Sequence, residues 1–174
     1  IPANLPLTED YIEKQMARRQ VGYGRGGRMR IEKDRAEILS GVRHGLTMGS
    51  PIGMYITNRD FSTGTGPDGV PWIDEMNINP SDVPFESITS LRPGHADTPG
   101  VAKYMQADAR NILERSSARE SAARVAAGAV ARRFLEEFGV QVNGHVLCIG
   151  GVHAQTPEMI DWESLEAIPY HSEN

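Results

Sequence analysis

His95 sits in the run Arg92-Pro93-Gly94-His95-Ala96-Asp97. Histidine is the side chain whose charge changes near neutral pH, which suits it to proton transfer. Pro93 fixes one backbone angle, Gly94 permits close backbone approach, and Asp97 follows two residues on, near enough to orient or charge the ring. The competing reading is a structural or merely exposed loop histidine.

Further along, Arg115-Ser116-Ser117 is followed by Arg119 and Arg124. A helix start already favours anions through its free N–H groups and dipole. Arginines at that end suggest a bound anion such as a phosphate, or else pairing with Glu114, Glu120 and Asp108. A third cluster runs from Arg18 to Arg30 (RRQVGYGRGGRMR), with five arginines and four glycines in thirteen residues. Glycines let backbone approach a ligand while guanidinium forks grip phosphate or carboxylate in pairs. No Gly-Lys-Ser/Thr follows, so this is no Walker loop. No apolar strand precedes Gly22-Tyr23-Gly24, so it is no dinucleotide fingerprint.

These residues need elements to hold them. Ser117 and Glu120 have capping-box spacing, predicting a helix from near Ala118. Ala122, Val125, Ala126, Ala129, Val130 and Phe134 recur on one face of it, and Gly139 stands where a left-handed residue would stop it. That face is small, and with Gly128 it predicts a neighbour packed close to the backbone. Upstream, Thr98-Pro99 reads as an N-cap followed by proline at the first helical position, and one helical pattern runs from there to the Arg115-Ser116-Ser117 hinge.

Thr8 to Arg19 reads as a capped amphipathic helix with acids at its start and arginines at its end. Ala36–Val42 and Ser50–Thr57 read as strands forming a hairpin or adjacent pair, with His44 at the surface between them. Residues 59–90 are rich in glycine, proline and aspartate and predict a mobile loop or lid, with Trp72 as its anchor. Val140–Val152 reads as a strand bent at Gly150-Gly151, and 157–169 as a helix-and-loop tail packed by Trp162.

The 174 residues suffice for one domain with a real core, and no repeat or linker divides them. Net charge is −5, which argues against a broad basic nucleic-acid surface. Among the basic residues only Lys14, Lys33 and Lys103 are lysines, and the other 15 are arginines. That bias fits a site for small anionic molecules. A lone cysteine, Cys148, lies in an apolar run and is expected to be a buried, inert thiol. No spacing among the five histidines and Cys148 makes a zinc set, so no metal is expected. No apolar run reaches membrane-spanning length and no signal peptide is visible, so a cytoplasmic location is expected.

The runs Arg92–Asp97, Arg115–Glu120, Ala122–Ala129, Arg18–Met29 and Glu37–Val42, in that arrangement between about Leu5 and Gly151, resemble the chorismate synthase family. The resemblance implies an α+β fold, a β-α-β sandwich of that family's type, incomplete in this chain. It implies a lyase that converts 5-enolpyruvylshikimate 3-phosphate to chorismate by anti-1,4-elimination with reduced FMN, in a homotetramer when full length. His95 matches the histidine that protonates or stabilises reduced flavin. Arg115, Ser116 and Ser117 match the FMN-binding segment. Arg19 and Arg25 match positions for NADP or the substrate phosphate, with NADPH as reductant, and Arg28 and Arg119 look like further substrate contacts.

Against that pattern, the family's N-terminal Gly-Glu-Ser-His-Gly motif and C-terminal half are missing, and Thr98-Pro99-Gly100 replaces an expected tyrosine. The chain is therefore expected to be a partial domain, inactive alone. Two other readings compete. One is a catalytically incomplete fragment or paralogue that binds a phosphate-bearing ligand; the other, an RGG-type nucleic-acid binder, predicts affinity falling steeply with salt.

Overall fold

Two helices packed side by side, together with residues of the neighbouring strands, form the core. The computed structural model describes residues 1–20, 34–58, 71, 78–79, 86–117, 119–154 and 161–167. Helix α1, Glu9–Gln20, carries Glu9 and Asp10 in its first turn and Arg18 and Arg19 in its last. Thr8 caps it as expected, its Oγ1 accepting from the Tyr11 N–H at 3.3 Å.

Three strands precede or follow α1 in one antiparallel sheet: β1 (Ala3–Pro6), β3 (Val42–Arg43) and β4 (Leu46–Met48), in the order β1-β4-β3. The register of β1 against β4 shifts between Ala3 and Pro6. Buried Thr47 bridges the gap, its Oγ1 accepting from Leu5 N–H at 3.0 Å and donating to Pro2 O at 2.6 Å. His44 and Gly45, both at positive φ, make the two-residue turn between β3 and β4, and His44 is exposed as expected.

A second antiparallel pair joins β2 (Ala36–Ser40) to β5 (Gly53–Ile56). The two predicted strands are therefore neighbours, with the β3–β4 hairpin inserted between them rather than a direct turn. Ala36, Ile38, Met54 and Ile56 face the core, while Tyr55 points to solvent, the period-two pattern of a half-buried strand. Glu9 ties this pair to α1 by accepting the Ile38 N–H at 2.8 Å.

The histidine segment departs from the expected single helix. Helix α2, Asp97–Tyr104, ends at Met105 in the left-handed conformation, φ 49°. Helix α3, Arg110–Ser116, starts afresh, with Asp108 Oδ1 accepting from Arg110 N–H at 2.9 Å and from Ile88 N–H at 3.1 Å. Nor is Thr98 the cap of α2. The helix starts two residues earlier than predicted, at Asp97, Ala96 gives no side-chain cap, and Pro99 is accommodated inside the first turn, where N–H groups lack helical partners.

Helix α4, Glu120–Glu136, starts two residues later than the predicted start at Ala118. The reciprocal capping box does not form. Ser117 Oγ instead accepts from Arg119 N–H at 3.2 Å, and the Ser117 carbonyl accepts from Glu120 N–H at 2.9 Å. The predicted face is right up to Val130: Ala122, Ala126, Ala129 and Val130 are buried against Leu7, Ile12, Met16 and Ala36, with Val125 alongside, whereas Phe134 lies outside this core and packs edge-on against exposed Phe138. Gly128 is no part of it, being exposed and facing open space. At the far end Gly139, φ 68°, closes the helix in a Schellman motif, with Gly139 N–H bonded to Glu136 O at 3.0 Å and Val140 N–H to Leu135 O at 3.1 Å.

The predicted strand over 140–152 shrinks to a hairpin of β6 (Cys148–Ile149) and β7 (Val152–His153), turned by Gly150 and Gly151 at positive φ. It is exposed, and so is Cys148, contrary to the expectation of a buried thiol; its Sγ lies 3.9 Å from His153 Nε2. Trp162, in the short helix α5 (Trp162–Ala167), packs edge-on against His145 at 5.6 Å between ring centres. Most of the predicted 59–90 loop, with Trp72, lies outside the described residues. Among the described residues, no helix is long and apolar enough to cross a membrane, and no His, Cys, Asp and Glu side chains gather as a metal site.

Candidate active site

Asp97 is the centre of the histidine loop. Its carboxylate is fully buried at the start of α2. Arg92 donates to it three times, from its backbone N–H (3.0 Å) and Nε (2.8 Å) to Oδ2 and from Nη2 (2.9 Å) to Oδ1. His95 Nδ1 stands 2.8 Å from the same Oδ1. Pro93 and Gly94, the latter at φ 71°, turn the chain so that Arg92 and His95 both reach back to Asp97.

The Arg92 hydrogen bonds, working against burial and helped by the His95 bond, hold the Asp97 carboxyl far below the ordinary carboxylate range. The same contact, in turn, pushes the Arg92 guanidinium above its ordinary range. An ionised carboxylate only accepts, so the hydrogen between His95 and Asp97 belongs to Nδ1. Arg92 Nη2, 3.2 Å from Nδ1, is then a second donor to the shared oxygen rather than a donor to the ring. Nε2 is left as the nitrogen that can give or take a proton, on a side chain that is 34% exposed.

A second carboxylate organises the arginines. Asp34, just before β2, receives Arg19 Nη1 on Oδ2 and Arg119 Nη1 on Oδ1. Arg19, in the last turn of α1, is also steadied by Ser121 Oγ, which accepts from Nε at 3.2 Å and Nη2 at 3.0 Å. Arg119, immediately before α4, donates from Nη2 to Thr57 O at 2.6 Å. Arginines from the last turn of α1 and from just before α4 thus meet at one buried acid.

Of the predicted site residues, Arg19 and Arg119 are brought together, and His95 is held by Arg92 and Asp97. Arg115 and Ser116 lie in the last turn of α3 and Ser117 just beyond it. Arg115 is exposed beside Tyr104, Gln106, Asn111 and Ile112, around a groove of about 430 Å3. Arg124 does not join an anion cluster; it pairs with Glu120 at 3.5 Å and is largely exposed, so the solvated reading holds for it. Arg25 and Arg28 lie outside the described residues. Sequence reasoning missed Asp34, Ser121 and Arg92. Asp34 lies in a charged run, Glu32-Lys33-Asp34-Arg35, where nothing local separates a buried acid from a solvated one.

The fold is that of an α+β chain, with two arginine forks joined on one buried carboxylate and a histidine steered by another. The family model for chorismate synthase matches residues 1–171. The chain is 53% identical over 171 residues to the chorismate synthase of Geobacillus sp. (strain WCH70), covering 97% of this chain and 41% of that protein. It is 57% identical over 154 residues to that of Aquifex aeolicus (strain VF5), covering 86% and 36%. A solved structure described as "Crystal Structure of Chorismate Synthase" superposes with a TM-score of 0.52 at 46% identity, covering 80% of this chain and 29% of that one. The chain belongs to the chorismate synthase family.

Proposed function

We propose that this chain supplies the phosphate-gripping and proton-handling part of a lyase that converts 5-enolpyruvylshikimate 3-phosphate to chorismate and phosphate by anti-1,4-elimination, the final step of the shikimate pathway. The observation that carries the reading is the convergence of Arg19 and Arg119, from positions a hundred residues apart, on one buried acid. Fixed guanidinium groups stabilise charge developing on a departing phosphate without reorganising, most strongly where water is scarce. By the family resemblance, Arg25 joins Arg19 as a contact for a phosphate-bearing ligand and Arg28 is a further substrate contact. His95, with Nδ1 committed to Asp97, gives or takes the proton at Nε2.

The residues Arg115, Ser116 and Ser117 fit the phosphate end of reduced FMN by their chemistry: one guanidinium and two hydroxyls offer donors for a phosphate monoester, and Tyr104 and Ile112, beside Arg115, offer apolar surface for a ring. When bound, the reduced flavin supplies an electron-rich partner to a reaction with no net redox change. NADPH is the proposed reductant, with Arg19 and Arg25 as the alternative phosphate contacts for it. A β-α-β sandwich, a homotetramer and a cytoplasmic location complete the reading.

The chain spans 41% of the Geobacillus relative's length, and this favours a second reading, a catalytically incomplete piece or paralogue that still binds a phosphate-bearing ligand. Anaerobic mixing of the chain with chemically reduced FMN and 5-enolpyruvylshikimate 3-phosphate, followed by chorismate absorbance, separates the two. Turnover that vanishes in His95→Ala supports the lyase. Absence of turnover with retained binding of either ligand supports the second reading, and binding of neither overturns both.

A further inference from the structure

The Asp34 side chain is 1% exposed, and the two arginines it receives are 12% and 14% exposed. Each guanidinium takes a different carboxylate oxygen, so the two cations flank a single carboxyl group. Without the acid, two like charges so placed in a poorly hydrated place would repel strongly. The backbone of the acid is fixed too, since Gln20 Nε2 donates to Asp34 O at 3.2 Å. Such a trio is a poor device for stability alone. Desolvating three charged groups costs about as much as their attraction returns, and apolar side chains of similar volume do as well or better.

What the trio does achieve is placement. We propose that Asp34 is a positioning residue for anion binding: its buried carboxylate presets Arg19 and Arg119 as a spaced pair for a single phosphate group. The inference rests on the reading that these two arginines grip phosphate. Ser121 holds the other edge of Arg19 and Thr57 O holds Arg119, so the forks are ordered before a ligand arrives and less side-chain freedom is lost on binding.

A charge role and a positioning role predict opposite signs. Asp34→Asn makes the site more positive, so if Asp34 only tuned charge, phosphate would bind more tightly. As a positioning residue, its loss lets the arginines part, and phosphate binds more weakly, by about tenfold or more. The experiment is a calorimetric titration of the purified full chain with inorganic phosphate, with thermal melting and far-UV circular dichroism on each variant.

Arg119→Gln tests the underlying reading: affinity equal to wild type means the arginines do not hold phosphate, and both claims fall. Weakened binding in Arg119→Gln with unchanged or tighter binding in Asp34→Asn keeps the reading and overturns the positioning role. Should Asp34→Asn not fold, Ser121→Ala decides, because it loosens Arg19 from the exposed side. Its phosphate affinity is expected to fall about threefold at an unaltered melting temperature, and no fall overturns the proposal.

Discussion

The Tyr11 hydroxyl donates to Glu136 Oε1 at 2.6 Å, closing the first turn of α1 onto the last turn of α4. Burial, then the hydrogen bond to Glu136, push the phenol up to about 12. The folded state therefore holds this proton more tightly than the unfolded chain, whose tyrosines titrate near 10. The bond's contribution is whole below about pH 10 and is lost as pH rises towards about 12. Tyr11→Phe is expected to cost about 1 kcal/mol at neutral pH. Denaturant melts at stepped alkaline pH check it: the variant should lose less stability than wild type between those values.

Asp97 titrates in the opposite sense. Its folded-state value lies below that of the unfolded chain, chiefly through Arg92, so its contribution is present above about pH 4 and fades as the medium becomes more acid. Asp97→Asn should lower the melting temperature at pH 7 and flatten the acid limb of the stability profile. Equal acid sensitivity in variant and wild type would show that the Arg92–Asp97–His95 cluster is not formed in solution.

Ile12 and Met16 have no exposed surface and press on the small face of α4. Alanine faces leave the neighbouring backbone close, so a cavity here has few side chains able to collapse into it. Met16→Ala should cost about 2–5 kcal/mol. In the reverse direction, Ala126→Leu should cost about 1–3 kcal/mol by forcing α1 and α4 apart. Chemical denaturation measures both, and an Ala126→Leu chain as stable as wild type would contradict the packing described.

Gly41 joins β2 to β3 at φ 85°, and a Cβ there would lie 2.5 Å from Pro51 O and 2.7 Å from Ile52 Cα. Both neighbours are backbone and cannot swing aside. Gly41→Ala therefore adds left-handed strain to a clash, and the expected cost is about 2 kcal/mol or more. Denaturant titration provides the check. Gly128→Ala, on the exposed side of α4 with open space around it, should instead stabilise by about 0.5–1 kcal/mol.

The α4 face and its stop at Gly139 were legible because a long helix repeats its pattern over several turns and ends on a residue chosen for one backbone conformation. Thr8 was legible as a cap for similar reasons. The break after α2 was not, since its left-handed residue is Met105 rather than glycine. Strands β1, β3 and β4 are two to four residues long, too short to show alternation. Cys148 illustrates a different limit: an apolar run reads alike in a core strand and in an exposed hairpin. Within the site, His95 and Asp97 could be linked because they are sequence neighbours. Arg119 stood out among the arginines at a helix start and Arg19 in the glycine-rich run, and the family resemblance gave both a role, but the acid that joins them depends on how α1 packs against α4.

The role of His95 can be split by nitrogen. Asparagine places its amide nitrogen near Nδ1 and has nothing at Nε2, so His95→Asn can still donate to Asp97. Its stability should stay within about 0.5 kcal/mol of wild type. If Nε2 is the proton-handling atom, any chorismate formation should fall about 10²–10⁴-fold in the same variant. His95→Gln reverses the substitution, reaching the Nε2 position while weakening the bond to Asp97, and should melt earlier without restoring activity, because an amide does not exchange a proton near neutral pH. Chorismate absorbance and thermal melting on the two variants give four readings. Full activity in His95→Asn would remove Nε2 from the mechanism, and a collapse of its melting temperature would show that the Nδ1 bond needs the imidazole ring itself.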